Sequence, residues 1–197
     1  MPILDWLLRE HCPDYSINGE WADLYRLRRK PKSLSERIEK AIDFYPCDIL
    51  FIHRDAEGES REFREHEIDL AFISANLSDS TIPHICVVPV RMQEAWLLFD
   101  EGAIRKASGN PNGRVQLDLP RPQRIENLSD PKYKLRELLL TASGKSGRHL
   151  DKVERHLSQH IHRVPENIND FSPLRDLPAF QALENQVRGI IPILALL

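Results

Sequence analysis

Asp48-Ile49-Leu50-Phe51-Ile52-His53-Arg54-Asp55-Ala56-Glu57-Gly58 is the stretch that decides the fold. Four consecutive large apolar residues, Ile49 to Ile52, follow a break at Tyr45-Pro46 and include β-branched and aromatic types. That is the pattern of a strand buried on both faces, as inside a parallel sheet. The run then ends in Asp55 and Glu57, two acids spaced i, i+2. In open α/β sheets ligands bind beyond the carboxyl ends of the strands, so this pair is placed to hold a hard cation. An acid-rich solvated turn between a strand and a helix explains the same residues.

Working outward, Ser33 or Ser35 can cap a helix running to Phe44, with Leu34, Ile38, Ala41 and Ile42 on its inner face. Ser60 can cap a second helix from Arg61 to Asn76, and Leu77 to Pro83 returns the chain as a loop. His84-Ile85-Cys86-Val87-Val88-Pro89-Val90 then reads as another buried strand. Strand, helix and strand in this order make a βαβ unit, with parallel pairing and a right-handed crossover. The segment Arg91 to Asp100, a loop turning into a short helix, would start at the same sheet edge as Asp55 and Glu57. Arg91 and Glu94 are thereby brought towards the acid pair.

The flanks read as helical. Pro2 suits a first helical turn, and Ile3, Leu4, Leu7 and Leu8 repeat at helical spacing up to Cys12-Pro13. Residues Asp14 to Tyr25 are ambiguous, with a possible short strand at Tyr15-Ser16-Ile17 and a turn at Asn18-Gly19. Asn110-Pro111-Asn112-Gly113 and Leu119-Pro120-Arg121-Pro122 mark a long irregular connection. Asp130-Pro131 opens a helix to Thr141, a His-rich helix spans Leu150 to His162, and a final helix runs from Pro178 to Gly189. The apolar tail Ile190 to Leu197 would dock on the core or on a partner.

A chain of 197 residues suits one domain, or one domain with an appended lobe. With 29% charged and 41% hydrophobic residues, neither a disordered chain nor a membrane-spanning one is expected. The amino terminus lacks the basic region of a secretory signal, so a cytoplasmic location is the default expectation. Cys12, Cys47 and Cys86 are too widely spaced for a zinc knuckle and odd in number, which favours buried free thiols. A net charge of −3 argues against nucleic-acid binding through overall charge. Local basic runs do occur at Arg26 to Lys32 and at Lys145 to Arg155, where a solvated face is the simpler reading.

Several chemical motifs can be weighed and set aside. His156 and His160 lie i, i+4 as zinc-binding histidines do, with Asp151 and His162 nearby, but no Glu separates them in the zincin manner. Gly144-Lys145-Ser146 resembles the end of a phosphate loop whose upstream glycine is here Leu139. There is no Gly-x-Ser-x-Gly elbow. The acids are stronger candidates, because Mg²⁺ is often held by one or two carboxylates plus substrate phosphates. Asp55 and Glu57 could supply these, Glu94 a third, and Arg91, Arg54 or Lys132 the positive charge a phosphate needs. Glu94-Ala95-Trp96 is equally readable as a helix first turn, with the acid at the positive dipole end and Trp96 in the core.

Arg91-Met92-x-Glu94-Ala95-Trp96-Leu97-Leu98-x-Asp100, then Asp130-Pro131-Lys132 with Leu135, Ala142-Ser143-Gly144, and Phe171-Ser172-Pro173-Leu174-Arg175-x-Leu177-Pro178-Ala179-Phe180 together resemble a TOPRIM-like bacterial family. Its members are often encoded beside ABC-type or AAA ATPases in anti-phage operons of the abortive-infection (AbiLii-like) type. The resemblance runs from about Asp48 to Phe180 and is most specific at Arg-Met-x-Glu-Ala-Trp. It implies an α/β, TOPRIM-like Rossmannoid core over residues 1–125, a mostly parallel sheet with flanking helices, and a C-terminal helical extension over 126–197. In TOPRIM domains an acid pair after an internal strand, with a Glu after the first strand, binds Mg²⁺ for DNA cleavage or nucleotidyl transfer. By resemblance Asp55 and Glu57 replace that pair and bind Mg²⁺ or Mn²⁺, with Glu94, Arg91 and Lys132 as the catalytic group around them.

The family pattern opens with a strand ending in a Val-Glu-Gly-type turn, whereas this sequence begins directly in its first helix. Neither Glu10 nor Glu20 is placed to substitute for that glutamate. Either the sequence begins downstream of the true start, or the member lacks a general acid-base group. Two functions follow from these expectations. One is a Mg²⁺-dependent nuclease acting as the effector of an anti-phage system; the other is a noncatalytic subunit that binds and regulates a partner ATPase.

Overall fold

A computed structural model describes residues 1–75, 77 and 82–194. The ten regular elements are α1 (Pro2–His11), α2 (Leu34–Phe44), β1 (Leu50–His53), α3 (Arg61–Ser74), β2 (His84–Val87), α4 (Glu101–Ala107), α5 (Pro131–Ser143), α6 (Gly147–Arg155), α7 (Leu157–Glu166) and α8 (Pro178–Leu194). Short 3₁₀ turns at Leu24–Arg26, Gln93–Leu97, Pro122–Asn127 and Ser172–Asp176 join them. The fold is mostly helical. Among the described residues the sheet has two strands, β1 and β2, paired in parallel with Leu50 opposite His84 and His53 opposite Val87. The β1-α3-β2 unit expected from the sequence therefore forms, while the larger parallel sheet does not.

Local chemistry sets the helix ends. Ser33 Oγ accepts from Glu36 N–H, which satisfies one otherwise orphaned donor of α2, and the Glu36 carboxylate accepts from Lys32 N–H at 2.7 Å just before the helix. Ser60 caps α3 by accepting from Phe63 N–H, and Asp130 caps α5 by accepting from Tyr133 N–H. Gly144, at φ 62°, closes α5 in the left-handed conformation that a residue without Cβ adopts cheaply.

The strands alternate between two cores, as a period-two chain must. Ile49, Phe51, Ile85 and Val87 pack into a large core built from α1, α4, α5, α7, α8 and the Gln93–Leu97 turn. Leu50, Ile52, Cys86 and Val88 pack into a smaller one against α2 and α3. The large core contains Leu98 and Ala107 together with Leu135, Phe180 and Val187. Among the described residues the buried side chains of this core come from both sides of residue 125. Trp96 lies at its centre, fully buried, edge-on to Phe180 at 5.7 Å between ring centres.

Other expectations need correcting. Tyr15-Ser16-Ile17 forms no strand. The His-rich helix is two helices that meet at His156, where the backbone leaves helical geometry (φ −105°, ψ 14°). The last helix runs past Gly189 to Leu194, with Ile190 against the large core. Residues 195–197 of the apolar tail, and 76 and 78–81 of the loop before β2, lie outside the described residues. Among the described residues no helix is long and apolar enough to cross a membrane.

The first and last helices are tied by a buried acid. Glu184 of α8, its side chain 6% exposed, lies 2.8 Å from His11 Nε2 and 2.9 Å from Arg175, with Arg188 at 3.4 Å. Burial works against its charge, but His11, Arg175 and Arg188 outweigh it and hold the carboxyl below the ordinary range. A depressed carboxyl pKa adds stability above the unfolded value, near 4.3 for Glu, and that stability disappears as pH falls through the folded value. Glu184→Gln should therefore cost about 2 kcal/mol in urea unfolding at neutral pH, because it removes the charge that His11, Arg175 and Arg188 share, while Glu10 still faces Arg175 at 3.4 Å. The deficit should shrink as pH falls below the ordinary Glu range and on through the depressed folded value, where wild-type Glu184 takes up its own proton.

Candidate functional site

The ladder between β1 and β2 continues past both strands. Leu50 N–H donates to Pro83, Arg54 N–H to Val87 and Ala56 N–H to Pro89, each pairing 33 residues apart in the chain, but Glu57 N–H donates to Arg91, 34 apart. One extra residue has entered on the β2 side, a bulge-like shift at the carboxyl edge of the sheet. Both residues of that last pairing are left-handed, Glu57 at φ 53° and Arg91 at φ 61°, followed by Gly58 at φ 103°. Two non-glycine residues with positive φ on facing chains are uncommon, and such geometry concentrates at functional sites.

Asp55 sits at this edge and is fixed. Its Oδ1 accepts from Gln93 N–H at 3.0 Å and lies 3.3 Å from His53 Nε2. Among the described residues both interactions fall on Oδ1, and no hydrogen bond reaches Oδ2. The acid thus caps the Gln93–Leu97 turn, which carries Glu94, and leaves one oxygen for a cation. Glu57 is held by its backbone alone: its side chain is 66% exposed, with Arg64 at 3.9 Å. Glu94 is largely covered and faces Lys132 Nζ across 3.9 Å, at the start of α5. Arg91 is exposed.

Arg54 and Arg64 are committed elsewhere. Arg54 meets Glu67 at 2.7 Å and Arg64 meets it at 2.8 Å, and these two guanidiniums, Arg64 first, hold Glu67 below the ordinary carboxylate range. The cations left for a phosphate are Arg91 and Lys132. Asp55, Glu57, Arg91, Glu94 and Lys132 therefore share one sheet edge through a chain of contacts. The three acids do not converge on a single point: among the described residues the only set of three or more His, Cys, Asp or Glu side chains with ligand atoms within 4.8 Å of one another is Asp69, His84 and Cys86. One fixed carboxylate with a second, exposed one matches the few protein ligands that Mg²⁺ takes.

The histidines weighed from sequence do other work. His160 Nδ1 lies 2.6 Å from the Ala107 carbonyl and braces α7 on α4. Trp96 is core, and its indole N–H donates to Glu126 at 3.5 Å. Burial pushes the Cys86 thiol up to about 12, with Asp69 and Glu65 adding to the effect. Sequence reasoning did not reach Gln93, whose contribution is a main-chain N–H, or Asp69, which joins His84 and Cys86 only once α3 is packed. The His84-x-Cys86 spacing was a usable signal, since it puts both side chains on one strand face.

Comparison with protein-family models, curated proteins and solved structures finds no match to this chain.

Asp55→Ala removes the acceptor that holds the Gln93 amide and should cost about 1 kcal/mol. In hydrogen exchange followed by mass spectrometry the peptide from Arg91 to Leu98 should lose protection, while peptides of α5 keep theirs. Unchanged exchange at this turn would show that Asp55 does not organise it.

Proposed function

We propose that this protein is a TOPRIM-like, Mg²⁺- or Mn²⁺-dependent nuclease that hydrolyses phosphodiester bonds at the carboxyl edge of β1 and β2. The observation that carries the reading is Asp55: a carboxylate fixed through one oxygen by Gln93 N–H, at the edge where parallel sheets bind ligands, on the turn-bearing side that also carries Glu94 and its partner Lys132. When bound, Mg²⁺ supplies Lewis-acid polarisation of a phosphoryl oxygen and a more acidic water. The chain's own residues do the rest. Asp55 would hold the cation, with exposed Glu57 as a second oxygen ligand, and Arg91 and Lys132 would neutralise the phosphate. Glu94, paired with Lys132, orients that ammonium group and can accept a proton from water.

Nucleic acid as substrate draws support from a second surface. Trp21 and Tyr25 are 71% and 76% exposed, and the same segment carries Arg26, Arg28, Arg29, Lys30 and Lys32. Exposed aromatics followed by a run of cations suit base stacking together with phosphate attraction. The resemblance of Arg91 to Asp100 supports a role as the cytoplasmic effector of an anti-phage system that works with an ABC- or AAA-type ATPase. Purified protein in Mg²⁺ or Mn²⁺ should cleave DNA or RNA. The Asp55→Ala, Glu57→Ala variant should be slower by roughly a hundredfold, about 3 kcal/mol of lost stabilisation. Equal cleavage by parent and variant would end the proposal.

A second reading, a noncatalytic subunit held by its partner ATPase, is favoured by α3. Phe63, Leu70 and Ile73 form an exposed apolar stripe on it, Ile73 at 78%. Ile73→Asp should then abolish co-purification with that ATPase and leave the fold intact by circular dichroism. Persistent association would count against this surface.

A further inference from the structure

His84 and Cys86 begin β2, two residues apart on the face that packs against α3. Asp69 comes from α3 to meet them. His84 Nε2 lies 2.9 Å from Asp69 Oδ1, and Cys86 Sγ lies 4.0 Å from the same oxygen. All three ligand atoms fall within 4.8 Å of one another. Tetrahedral zinc with a thiolate, an imidazole and a carboxylate requires nitrogen–oxygen and sulfur–oxygen separations of about 3.3 and 3.5 Å. The observed distances bracket these values, each within about half an ångström.

The surroundings hold the three groups in place. The His84 ring stacks on Phe72 with centres 4.1 Å apart. Gln186 of α8 accepts from Cys86 N–H at 2.8 Å and donates to Glu65 at 2.9 Å, which fixes the strand under the thiol. The cluster is open on one side, where it lines a polar cleft with Arg61, Glu65, Gln181 and Asn185. A hydrogen-bonded Asp–His pair alone explains the 2.9 Å contact. It does not account for a buried sulfur directed at the same carboxylate from the same strand face.

We propose that Asp69, His84 and Cys86 form a Zn²⁺ site with its fourth position open to this cleft. A thiolate, an imidazole and a carboxylate together suit zinc and disfavour Mg²⁺, which takes oxygen ligands. On binding, the Cys86 S–H bond breaks, a sulfur–zinc bond forms and the proton leaves to solvent. Three protein ligands and one open position is the arrangement that lets zinc bind water or an incoming anion. The site is independent of the hydrolytic reading. Cys86 is level with Ile52 in the sheet, so Asp55 stands about 10 Å further along the strand.

The test uses the full chain, stripped of metal and titrated with Zn²⁺ against a chromophoric chelator. One Zn²⁺ per chain is expected. Asp69→Asn and Cys86→Ser should each weaken binding at least tenfold, and Asp55→Ala should leave it unchanged. Asp69 is exposed, so its variant will fold, and circular dichroism checks this. Co²⁺ added to the wild-type chain should give a thiolate-to-cobalt charge-transfer band that Cys86→Ser abolishes. Absence of bound Zn²⁺, equal affinity in both ligand variants, or a Co²⁺ spectrum without the thiolate band would each overturn the site.

Discussion

The pairing of β1 with β2 is the constraint on which everything else in this chain depends. Two parallel strands cannot stand alone, because each has one unpaired edge and two apolar faces. Here the faces are covered by different helix groups, and the β2 edge is met by α8, where Gln186 accepts the Cys86 N–H that no strand receives. The sheet is thus complete with side-chain help. Its carboxyl end is where the ladder slips by one residue between Pro89 and Arg91. That slip turns Glu57 and Arg91 into the left-handed region and brings Gln93 N–H onto Asp55.

The same pairing separates two chemistries. Strand alternation sends His84 and Cys86 towards α3, so a thiol, an imidazole and a carboxylate meet on one face. Asp55 instead follows the end of β1, against the Gln93 N–H and the His53 ring. Hard oxygen donors at the sheet edge and mixed donors on its face would sort Mg²⁺ from Zn²⁺ by ligand type. The second of these rests on α8, which supplies Gln186 at β2 and, further along, Glu184 against His11 and Arg175.

Much of this was legible in the sequence, and the reasons it was, or was not, are physical. Ile49 to Ile52 and Ile85 to Val88 read as two-sided strands because both faces are covered. Ser60 and Asp130 marked helix starts because caps are local, while the end that Gly144 sets was read two residues short of Ser143, at Thr141. The size of the sheet was not legible: an apolar strand has the same pattern whether its far neighbour is another strand or a helix. The break at His156 was hidden because the helical pattern continues across it, and only the His160 contact with Ala107 reveals α7 as a separate brace. At the sheet edge, Asp55 and Glu57 were readable as acids, but their unequal roles arise from Gln93 N–H and from the exposure of Glu57. Asp69 could not have been joined to His84 from spacing, since fifteen residues and a helix packing angle intervene.

Metal placement tests the central claim most directly. Crystals of the full chain soaked in Mn²⁺ and measured for anomalous scattering should show a peak beside Asp55 Oδ2, with Glu57 drawn in from solvent. A Mn²⁺-soaked crystal without a peak at Asp55, or with Glu57 unmoved and the ion bound elsewhere, would contradict it.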